Sequence, residues 1–503
     1  MTDFEGAETT TDETFQRLLF RRQFLIGPER YLPNRHWRSV ELPRGFHLSA
    51  HRDLPFTTVS RHYVTATLIG HAIDPRYPQR FEPEILDSLI GGSSDFNSFI
   101  DATVSLAGRW IIIYQDAGGC CLFSDPCAFR QVFYHSDGMH VWCASQPELI
   151  GTKVDLSLSA DSALWNFLVN PELARNESAW VGMRTIYKDC FHLLPNHYLN
   201  VCQCKQVRFY PTRNIPRKEI SEIIETAASI LQGIMAAIAG RHNAILALTA
   251  GWDSRILLAA SRDVSSKMEY YIDRMGVLPP DHPDVCIPER LAGKLNIKFA
   301  VRDSRDDLPG WFVSMLSRNV TGARVLPKTR TIYNKYVTGE KRMNINGNGG
   351  EICRNFFDTS LKTETKDIPA EDLARLLNYK SLPSFVLREI QEWEKSFNRE
   401  LLDSFNILDL LYWEQRLGNW GAQYPAEQDI AVEEFSPFDC RLLIETLLAS
   451  PRHMRAAPDY QLFKMLIRKM WPETLSVPVN PKSRRGLISA FKRMVRYFVP
   501  RYR

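Results

Sequence analysis

The hydrophobic pattern of the chain changes near residue 212. Before this point, short β-rich runs are separated by turns that contain Gly, Asp or Pro, which is a pattern typical of strands. The predicted strands cover residues 63–69, 110–114, 120–124, 132–135, 141–145, 198–202 and 206–210. We therefore predict one largely antiparallel α+β domain over residues 16–212.

After this point, the pattern alternates between helices and buried strands. Residues 218–239 carry apolar side chains at helical spacing, and the short apolar run 244–248 predicts a parallel strand. Further helices are predicted at residues 254–261 and 284–295, and further strands at 268–272 and 298–301. This order predicts an α/β domain with a parallel sheet over residues 213–485, in which the mainly helical part from residue 370 covers one side of a cleft.

Length and composition agree with this division. A chain of 503 residues is too long for one core, and 44% hydrophobic with 24% charged residues is an ordinary globular composition. Residues 1–15 are acidic and rich in threonine, which predicts a disordered tail. No apolar run reaches the roughly 18 to 20 residues that span a bilayer, and the N-terminus lacks a signal-like pattern. We expect a cytoplasmic protein.

The ten cysteines form no pattern typical of disulfides or zinc. Cys120 and Cys121 are adjacent, which suits no disulfide framework. Cys202 and Cys204 come nearest to a metal-ligand pair, but one residue separates them and no second pair follows. Buried, reduced thiols are the better interpretation.

Positive charge is concentrated at the C-terminus. The net charge is +4, and residues 482–503 carry eight Lys or Arg and no acid, which leaves −4 for the other residues (4 minus 8). We therefore expect no nucleic acid as a partner, and a tRNA-modifying function is disfavoured. Residues 486–503 have the pattern of a basic amphipathic helix. It could lie on the anionic inner face of a membrane, bind an acidic partner, or dock on the protein's own core.

The segment that joins the buried strand 244–248 to the next helix carries the most informative chemistry. Its residues are Leu248, Thr249, Ala250, Gly251, Trp252, Asp253 and Ser254. Backbone N–H groups at a helix start favour an anion, two hydroxyls add donors, and the carboxylate is a hard oxygen ligand for Mg²⁺. The segment has no Walker lysine, and plain helix capping remains the alternative interpretation.

This segment resembles the S-G-G-x-D-S pyrophosphate loop of the asparagine synthetase-like family, with Thr249 in place of Ser and Ala250 in place of Gly. An alanine here strains the turn if its φ is positive. Weaker matches follow in the family's order over about residues 60–490. The resemblance implies a PP-loop ATP pyrophosphatase domain with ATP and Mg²⁺ as cofactors. It implies that ATP is bound by Leu248, Thr249, Gly251, Asp253, Ser254, Ile272 and Gly347.

Residues 347–351 resemble the family's G-E-G-x-D-E segment. The resemblance implies that Glu351 is a second Mg²⁺ ligand beside Asp253. Family members that make amides have Glu or Tyr at the second position, linked with deprotonating the attacking amine. This chain has Asn348, and an amide has no useful basicity, so the general base is left open. A plain glycine turn after a strand is the alternative.

Two further segments resemble the family's C-terminal motifs. Residues 433–442 resemble E-x-R-x-P-F-L-D-x-R-L with one residue missing, which makes Glu433 a candidate base, a substrate-orienting group, or only a solvated carboxylate. Residues 471–473 and 481–482 resemble the closing L-P-E and R-x-K-x-G-F elements. The resemblance implies that Lys482 faces the phosphates and the transition-state charge, although a lysine in a basic tail is often only solvated.

The N-terminal half resembles a degenerate class II glutamine amidotransferase domain, an Ntn-hydrolase-like sandwich. The matching positions are Gly108, Arg109, Trp110, Asp125, Phe133 and Tyr134. Such domains cut glutamine with a cysteine at the processed N-terminus. This chain begins Met1-Thr2-Asp3 and has no cysteine before Cys120, so we expect no glutaminase activity.

The resemblance implies an ATP-dependent ligase that adenylates a small-molecule or peptide carboxylate, releases pyrophosphate, and transfers the acyl group to an amine donor. The amine is then free ammonia, a group supplied by a second protein, or part of the substrate. The last case is that of the β-lactam synthetase and lasso-peptide cyclase relatives. A weakened scaffold or regulator is the alternative. Asn348 and Ala250 favour it, while Asp253, Glu351 and Lys482 argue against it.

Overall fold

The computed structural model describes residues 12–357, 368–397 and 406–481. Lys482 and the segment 486–503 lie outside these ranges, and so do residues 1–11 of the predicted tail. The fold is α+β, with two antiparallel sheets and one parallel sheet of five strands. Helix α1 (Asp12–Leu18) covers the last four residues of the segment 1–15, so the predicted disorder is wrong there.

Two six-stranded antiparallel sheets occupy the first half of the chain. Their strands are β1 (Phe24–Gly27), β2 (Trp37–Leu42), β3 (Phe46–His51), β4 (Phe56–Arg61), β5 (Val64–Gly70), β6 (Trp110–Gln115), β7 (Cys120–Ser124), β8 (Phe133–Ser136), β9 (Val141–Ala144), β10 (Cys190–His192), β11 (His197–Asn200) and β12 (Lys205–Arg208). The orders are β10-β8-β9-β1-β3-β2 and β12-β11-β7-β6-β5-β4. The seven predicted strands are confirmed within two residues at each end, whereas β1 to β4 and β10 were not predicted.

The two antiparallel sheets pack face to face, and helices cover an outer face. Ile111 and Ile113 of β6 point into the core between the sheets, together with Phe24 and Leu48. The alternate residues of β6, such as Ile112, point to the other face. There they pack under α2 (Glu82–Gly91) and α3 (Phe96–Ala102). Strand β6 is therefore buried on both faces, which explains its continuous apolar sequence.

The parallel sheet lies in the second half of the chain. Its strands are β13 (Ala244–Ala247), β14 (Glu269–Asp273), β15 (Phe299–Arg302), β16 (Met343–Ile345) and β17 (Glu433–Phe435), in the order β15-β14-β13-β16-β17. The first three strands confirm the prediction. The chain leaves β13 to one side for β14 and β15, and then crosses to the other side for β16 and β17. The carboxyl end of β13 is therefore a topological switch point, where open parallel sheets bind ligands.

The remaining helices surround these sheets. In the first half they are α4 (Pro147–Ile150), α5 (Ser162–Leu168) and α6 (Pro171–Arg175). In the second half they are α7 (Ile220–Arg241), α8 (Trp252–Ala260), α9 (Pro283–Leu295), α10 (Gly310–Asn319), α11 (Pro327–Val337), α12 (Ala370–Leu376), α13 (Ser384–Glu394), α14 (Ile407–Leu410), α15 (Ala422–Gln428), α16 (Arg441–Leu448), α17 (Arg452–Arg455) and α18 (Gln461–Met470). A π-helical segment, Leu411–Gly421, joins α14 to α15. The predicted helical character after residue 370 is confirmed in the described ranges, apart from β17.

Helix α7 is the central helix of the second half. Its 22 residues match the prediction for 218–239, and its apolar side is buried in the largest core. By length and composition alone it could cross a membrane, so the expectation that no apolar run is long enough is wrong. More than half of the 18-residue apolar stretch in this helix is buried inside the protein, as in a core helix.

Buried ion pairs join the two halves of the chain. The guanidinium of Arg109 binds both carboxylate oxygens of Asp429, at 2.6 and 2.7 Å. Arg130 Nη2 lies 2.5 Å from Glu433 Oε1, and Arg22 Nε lies 3.7 Å from Glu433 Oε2. All five side chains are nearly inaccessible to water. The two halves are therefore connected by buried ion pairs, in which the loss of either partner would leave the other charge uncompensated.

A buried pair of carboxyl groups lies at the same junction. Asp125 accepts backbone hydrogen bonds from Phe129 and Arg130, whereas Asp439 accepts one from the N–H of Cys127. Burial, followed by the neighbouring charge of Asp125, raises the pKa of Asp439 well above its usual value. A proton on Asp439 would let this group donate to Asp125, and Asp439 Oδ2 receives no hydrogen bond from the described residues. The fold therefore favours a proton on this pair of carboxyl groups.

This proton makes stability depend on pH. The pKa of Asp439 is raised on folding, so its stabilising contribution is complete below about pH 4 and is lost as pH rises through the folded-state pKa. We expect the free energy of unfolding to fall by up to about 1.4 kcal/mol per pH unit between about pH 4 and the folded-state pKa, and to level off above it. Urea titrations between pH 5 and 9 measure this. Asp439→Asn should flatten the dependence, and the exposed control Asp101→Asn should leave it unchanged.

Candidate functional site

The predicted loop lies at the carboxyl end of β13, in the middle of the parallel sheet. Leu248 donates its N–H to the carbonyl of Tyr271 at 2.8 Å, which places the start of the loop beside Ile272 of β14. Gly251 has φ −75°, and Ala250 is not among the residues with positive φ. The alanine that replaces the family's glycine therefore causes no backbone strain. Helix α8 begins at Trp252, directly after the loop.

Two hydroxyl groups close the loop on itself. Thr249 Oγ1 and Ser254 Oγ are 3.0 Å apart, and Gly251 donates its N–H to Thr249 Oγ1 at 3.1 Å. Two distant segments also hold the loop. Ala250 donates its N–H to Asp284 Oδ1 of α9 at 3.0 Å, and the N–H of Asn480 donates to the Ala250 carbonyl at 2.9 Å. The loop is thus preorganised by its own hydroxyls and by two outside contacts.

Asp253 lies against the glycines that follow β16. A Cβ atom placed on Gly347 would lie 2.5 Å from Asp253 Cβ, and one placed on Gly350 would lie 2.4 Å from Asp253 Oδ1. No side chain fits at either position without moving the carboxylate. The fold therefore brings the two predicted segments, almost a hundred residues apart, into direct contact, and their glycines permit it.

Arg354 connects the two candidate metal ligands. Its Nη2 lies 2.6 Å from Asp253 Oδ2 and 3.4 Å from Glu351 Oε1. The other oxygen of each carboxylate, Asp253 Oδ1 and Glu351 Oε2, is buried and has no hydrogen-bond partner in the described parts of the chain. Burial and the charge of Glu351 raise the pKa of Asp253 to about 7, although Arg354 opposes this. Within the described ranges, the two carboxylates thus share the guanidinium of Arg354, and each keeps one oxygen without a partner.

These free oxygens fit a hard divalent cation. Mg²⁺ is commonly held by one or two protein carboxylates together with phosphate oxygens and water. Within the described ranges, no group of three or more His, Cys, Asp or Glu side chains could hold a metal ion. A metal bound by Asp253 and Glu351 would therefore need further ligands from a bound molecule, as a nucleotide phosphate provides.

Asn348 lies in the turn between Gly347 and Gly349. Its N–H donates to Asn346 Oδ1 at 2.9 Å, and its carbonyl accepts the hydroxyl of Ser436. Its side-chain amide makes no hydrogen bond with any residue that the structure describes, and the residue is half-buried. Gly349 has φ +93°, which favours glycine, so the turn fixes the backbone and leaves the amide free.

Glu433 has a different environment from the one predicted. It is the first residue of β17, paired with Met343 at the amino end of β16, whereas the loop lies at the carboxyl ends of the strands. Burial would raise its pKa, but Arg130 and Arg109 lower the pKa of Glu433 to about 2. Such a group is neither a solvated carboxylate nor a base near neutral pH. Its contacts make it a structural partner of the N-terminal half.

Several residues of the site were not predicted. Arg354 follows Glu351 by three residues in the short 3-10 turn Gly350–Arg354, and this spacing was the available signal for an ion pair. Asp284 and Tyr412 carried no signal, because only the fold brings them to the loop. The ring hydroxyl of Tyr412 is close enough to Glu351 for that charge, after burial, to raise its pKa. Lys482 lies outside the described residues, two positions after Asn480.

Comparisons with known proteins do not identify a family. No family model matches this chain, and no curated protein matches it at a significant level. Among solved structures, the chain is similar to a glutamine phosphoribosylpyrophosphate (PRPP) amidotransferase from B. subtilis complexed with ADP and GMP. The identity is 11%, the TM-score is 0.23, and the match covers 69% of this chain and 74% of that chain. A similarity of this size supports no inference about activity.

Proposed function

We propose that this protein is an ATP-dependent ligase that splits ATP between its α- and β-phosphates to adenylate a carboxylate, and then passes the acyl group to an amine. One observation carries the proposal. Asp253 and Glu351 meet at the switch point of the parallel sheet, and each presents a buried oxygen that has no hydrogen-bond partner among the described residues. Such oxygens are costly to bury unless a cation or donor completes them.

The chain's own residues have separate parts in this reaction. The start of α8 and the hydroxyls of Thr249 and Ser254 favour pyrophosphate, because backbone N–H groups and the helix dipole attract anions. Asp253 and Glu351 would hold Mg²⁺, which neutralises phosphate charge and polarises the phosphoryl group. Lys482 is proposed to neutralise the same phosphates, as the resemblance implies. Leu248, Ile272 and Gly347 are proposed to line the nucleotide.

The general base of the second step is not assigned to Glu433, because that side chain is occupied by arginines. Asn348 cannot accept the proton either. We propose that the amine reaches the adenylate already deprotonated or loses its proton to water or substrate. The degenerate N-terminal half contributes no glutaminase in this proposal, so the amine is free ammonia, a group from a second protein, or part of the substrate.

A scaffold or regulatory protein is the second candidate. One observation favours it, since Arg354 binds both carboxylates in the position where a metal would act. In this case the chain keeps the fold and binds no nucleotide. The two candidates differ in nucleotide binding and turnover.

Pyrophosphate release tests the proposal. Purified protein with ATP, Mg²⁺ and a panel of carboxylic acids should release pyrophosphate and AMP, and calorimetry should show nucleotide binding that requires Mg²⁺. Absence of both nucleotide binding and pyrophosphate release, under conditions where the protein is folded, would favour the scaffold.

Gly350→Ala is expected to weaken nucleotide binding and to destabilise the fold. The new methyl group would lie 2.4 Å from Asp253 Oδ1, so the carboxylate must leave its present position. We expect affinity for the magnesium nucleotide to fall by about tenfold or more, with a loss of about 1 to 3 kcal/mol in stability from overpacking. Calorimetry and thermal melting measure the two effects. Gly293→Ala in α9, where a methyl meets nothing within 4 Å, is the matched control. It should leave nucleotide affinity unchanged and, as an alanine inside a helix, raise stability by about 0.5 to 1 kcal/mol.

A further inference from the structure

Arg354 is a largely buried cation between the two candidate metal ligands. Its Nη2 atom lies 2.6 Å from Asp253 Oδ2 and 3.4 Å from Glu351 Oε1, and its side chain is 15% exposed. Within the described ranges, neither carboxylate forms an ion pair with another cation. Two negative charges and one positive charge are thus held together with little access to water, which leaves a net charge of −1 (−2 plus 1).

A second arginine of the same domain shows what a complete bridge between two carboxylates contains. Arg342, which directly precedes β16, binds Glu269 and lies 2.6 Å from Glu340 Oε1. Each of these carboxylates has a further cation, because Glu269 also pairs with Lys298 and Glu340 also pairs with Arg302. The bridge at Arg342 is therefore neutralised by several cations and serves as a permanent contact.

The bridge at Arg354 is incomplete by comparison. Asp253 Oδ1 and Glu351 Oε2 are buried, and neither has a hydrogen-bond partner in the part of the chain that the structure describes. A guanidinium donates its N–H groups in one plane, so it leaves these two oxygens without a donor. A divalent cation has twice the charge and takes oxygen ligands from several directions. It would therefore satisfy the two carboxylates better than Arg354 does.

The side chain of Arg354 has an aromatic ring beside it that does not compete for a metal. The guanidinium carbon lies 5.8 Å from the ring centre of Tyr460, a distance at which aromatic faces attract cations. Tyr460 packs against Trp252 and has φ +43°, which is unfavourable for a bulky residue and indicates a position imposed by its surroundings. Arg354 Nε is buried without a hydrogen-bond partner among the described residues. The guanidinium can thus leave the carboxylates without leaving the site.

We propose that Arg354 is an internal counter-ion of the two carboxylates, and that a divalent cation displaces it only when the cation arrives with nucleotide phosphates. This inference rests on the proposed function for the identity of those phosphates. While Arg354 is in place, a free cation meets a charge of −1 instead of −2, which reduces its attraction by about half. Phosphate oxygens add negative charge and are strong partners for a displaced arginine. The cation therefore enters as its nucleotide complex, and Arg354 keeps free cations out.

Manganese binding in the absence of nucleotide tests this role. Mn²⁺ prefers the same oxygen ligands as Mg²⁺, and electron paramagnetic resonance measures its bound fraction. We use pH 8, so that protons compete less for the carboxylates. Arg354→Met should bind Mn²⁺ at least about tenfold more tightly than wild type, because the ion then meets two carboxylates without a counter-ion. Arg354→Lys, which keeps the charge, should bind Mn²⁺ as weakly as wild type does.

Arg342→Met is the matched control, since it also removes an arginine from between two carboxylates. Glu269 and Glu340 each keep another cation in this variant, so its Mn²⁺ affinity should equal that of wild type. If Arg354→Met does not fold, Arg354→Gln takes its place, because the amide keeps an N–H donor for Asp253 and lacks the charge.

Three results would overturn the inference. These are an unchanged Mn²⁺ affinity in Arg354→Met, an equal gain in Arg342→Met, and a gain that persists in the double variant Arg354→Met/Asp253→Asn, which would place the ion elsewhere. None of these measurements contains nucleotide, so they are separate from the test of the proposed function. A Mn²⁺ gain in Arg354→Met, together with no ATP binding by wild type, would refute the ligase and support Arg354 as the counter-ion of a metal centre.

Discussion

Asp253→Asn should abolish magnesium-dependent nucleotide binding and lower pyrophosphate release at least about a hundredfold. The amide has the shape of the carboxylate but lacks its charge, and it presents one hard oxygen instead of two. Asp253 Oδ1 lies beside Gly350 and has no hydrogen-bond partner in the part of the chain that the structure describes. Removing its charge should therefore weaken metal binding more than it destabilises the fold.

Glu351→Gln should have the same effect to a similar degree, since both carboxylates are needed for one cation. Effects of two residues that act as a unit are not additive. The double variant is therefore expected to lose little more than either single variant. Asp263→Asn, an exposed aspartate just after α8, is the control. Retained activity in Asp253→Asn would show that the two carboxylates hold no metal and that Arg354 is their permanent partner.

Local features of the site were accessible from the sequence, and long-range ones were not. A buried strand, a tight turn and a helix are contiguous in residues 244–260, so pattern and chemistry predict the loop together. The proximity of Asp253 and Glu351 came from a resemblance between motifs and not from spacing. For Arg354 the spacing of three residues from Glu351 was the available signal. Asp284 and Tyr412 needed coordinates, because they belong to other elements.

The strands β16 and β17 show why the rest of the sheet was missed. Each has three residues, which is too short for hydrophobic periodicity to register. Because β17 is so short, the sequence also did not show to which face of the sheet each of the adjacent residues Glu433 and Glu434 points. Glu433 points to the arginines of the N-terminal half, whereas Glu434 accepts hydrogen bonds from Asn344 and Asn346 on the other face. Neighbouring strand residues face opposite sides, so a register shift of one residue exchanges their roles.

Arg109→Met should destabilise the protein by about 3 to 5 kcal/mol, the cost typical of removing one partner from a buried ion pair. Arg109 is 3% exposed and binds both oxygens of Asp429. Without it, Asp429 and Glu433 would share Arg130, and a buried negative charge would lack compensation. Urea unfolding of wild type and variant measures the difference.

The double variant Arg109→Met/Asp429→Leu shows how much of the stability loss comes from the lost ion-pair attraction and how much from the carboxylate left without a partner. Replacing both partners by apolar side chains of similar size is often neutral, so the double variant should recover most of the stability that Arg109→Met loses. Lys395→Met, which breaks an exposed pair with Glu392, should change stability by less than about 1 kcal/mol. If Arg109→Met has the same midpoint urea concentration of unfolding as wild type, these charges do not hold the halves together. The N-terminal half must then be retained for contacts elsewhere, such as the hydrogen bond from Gly108 to the carbonyl of Asp439.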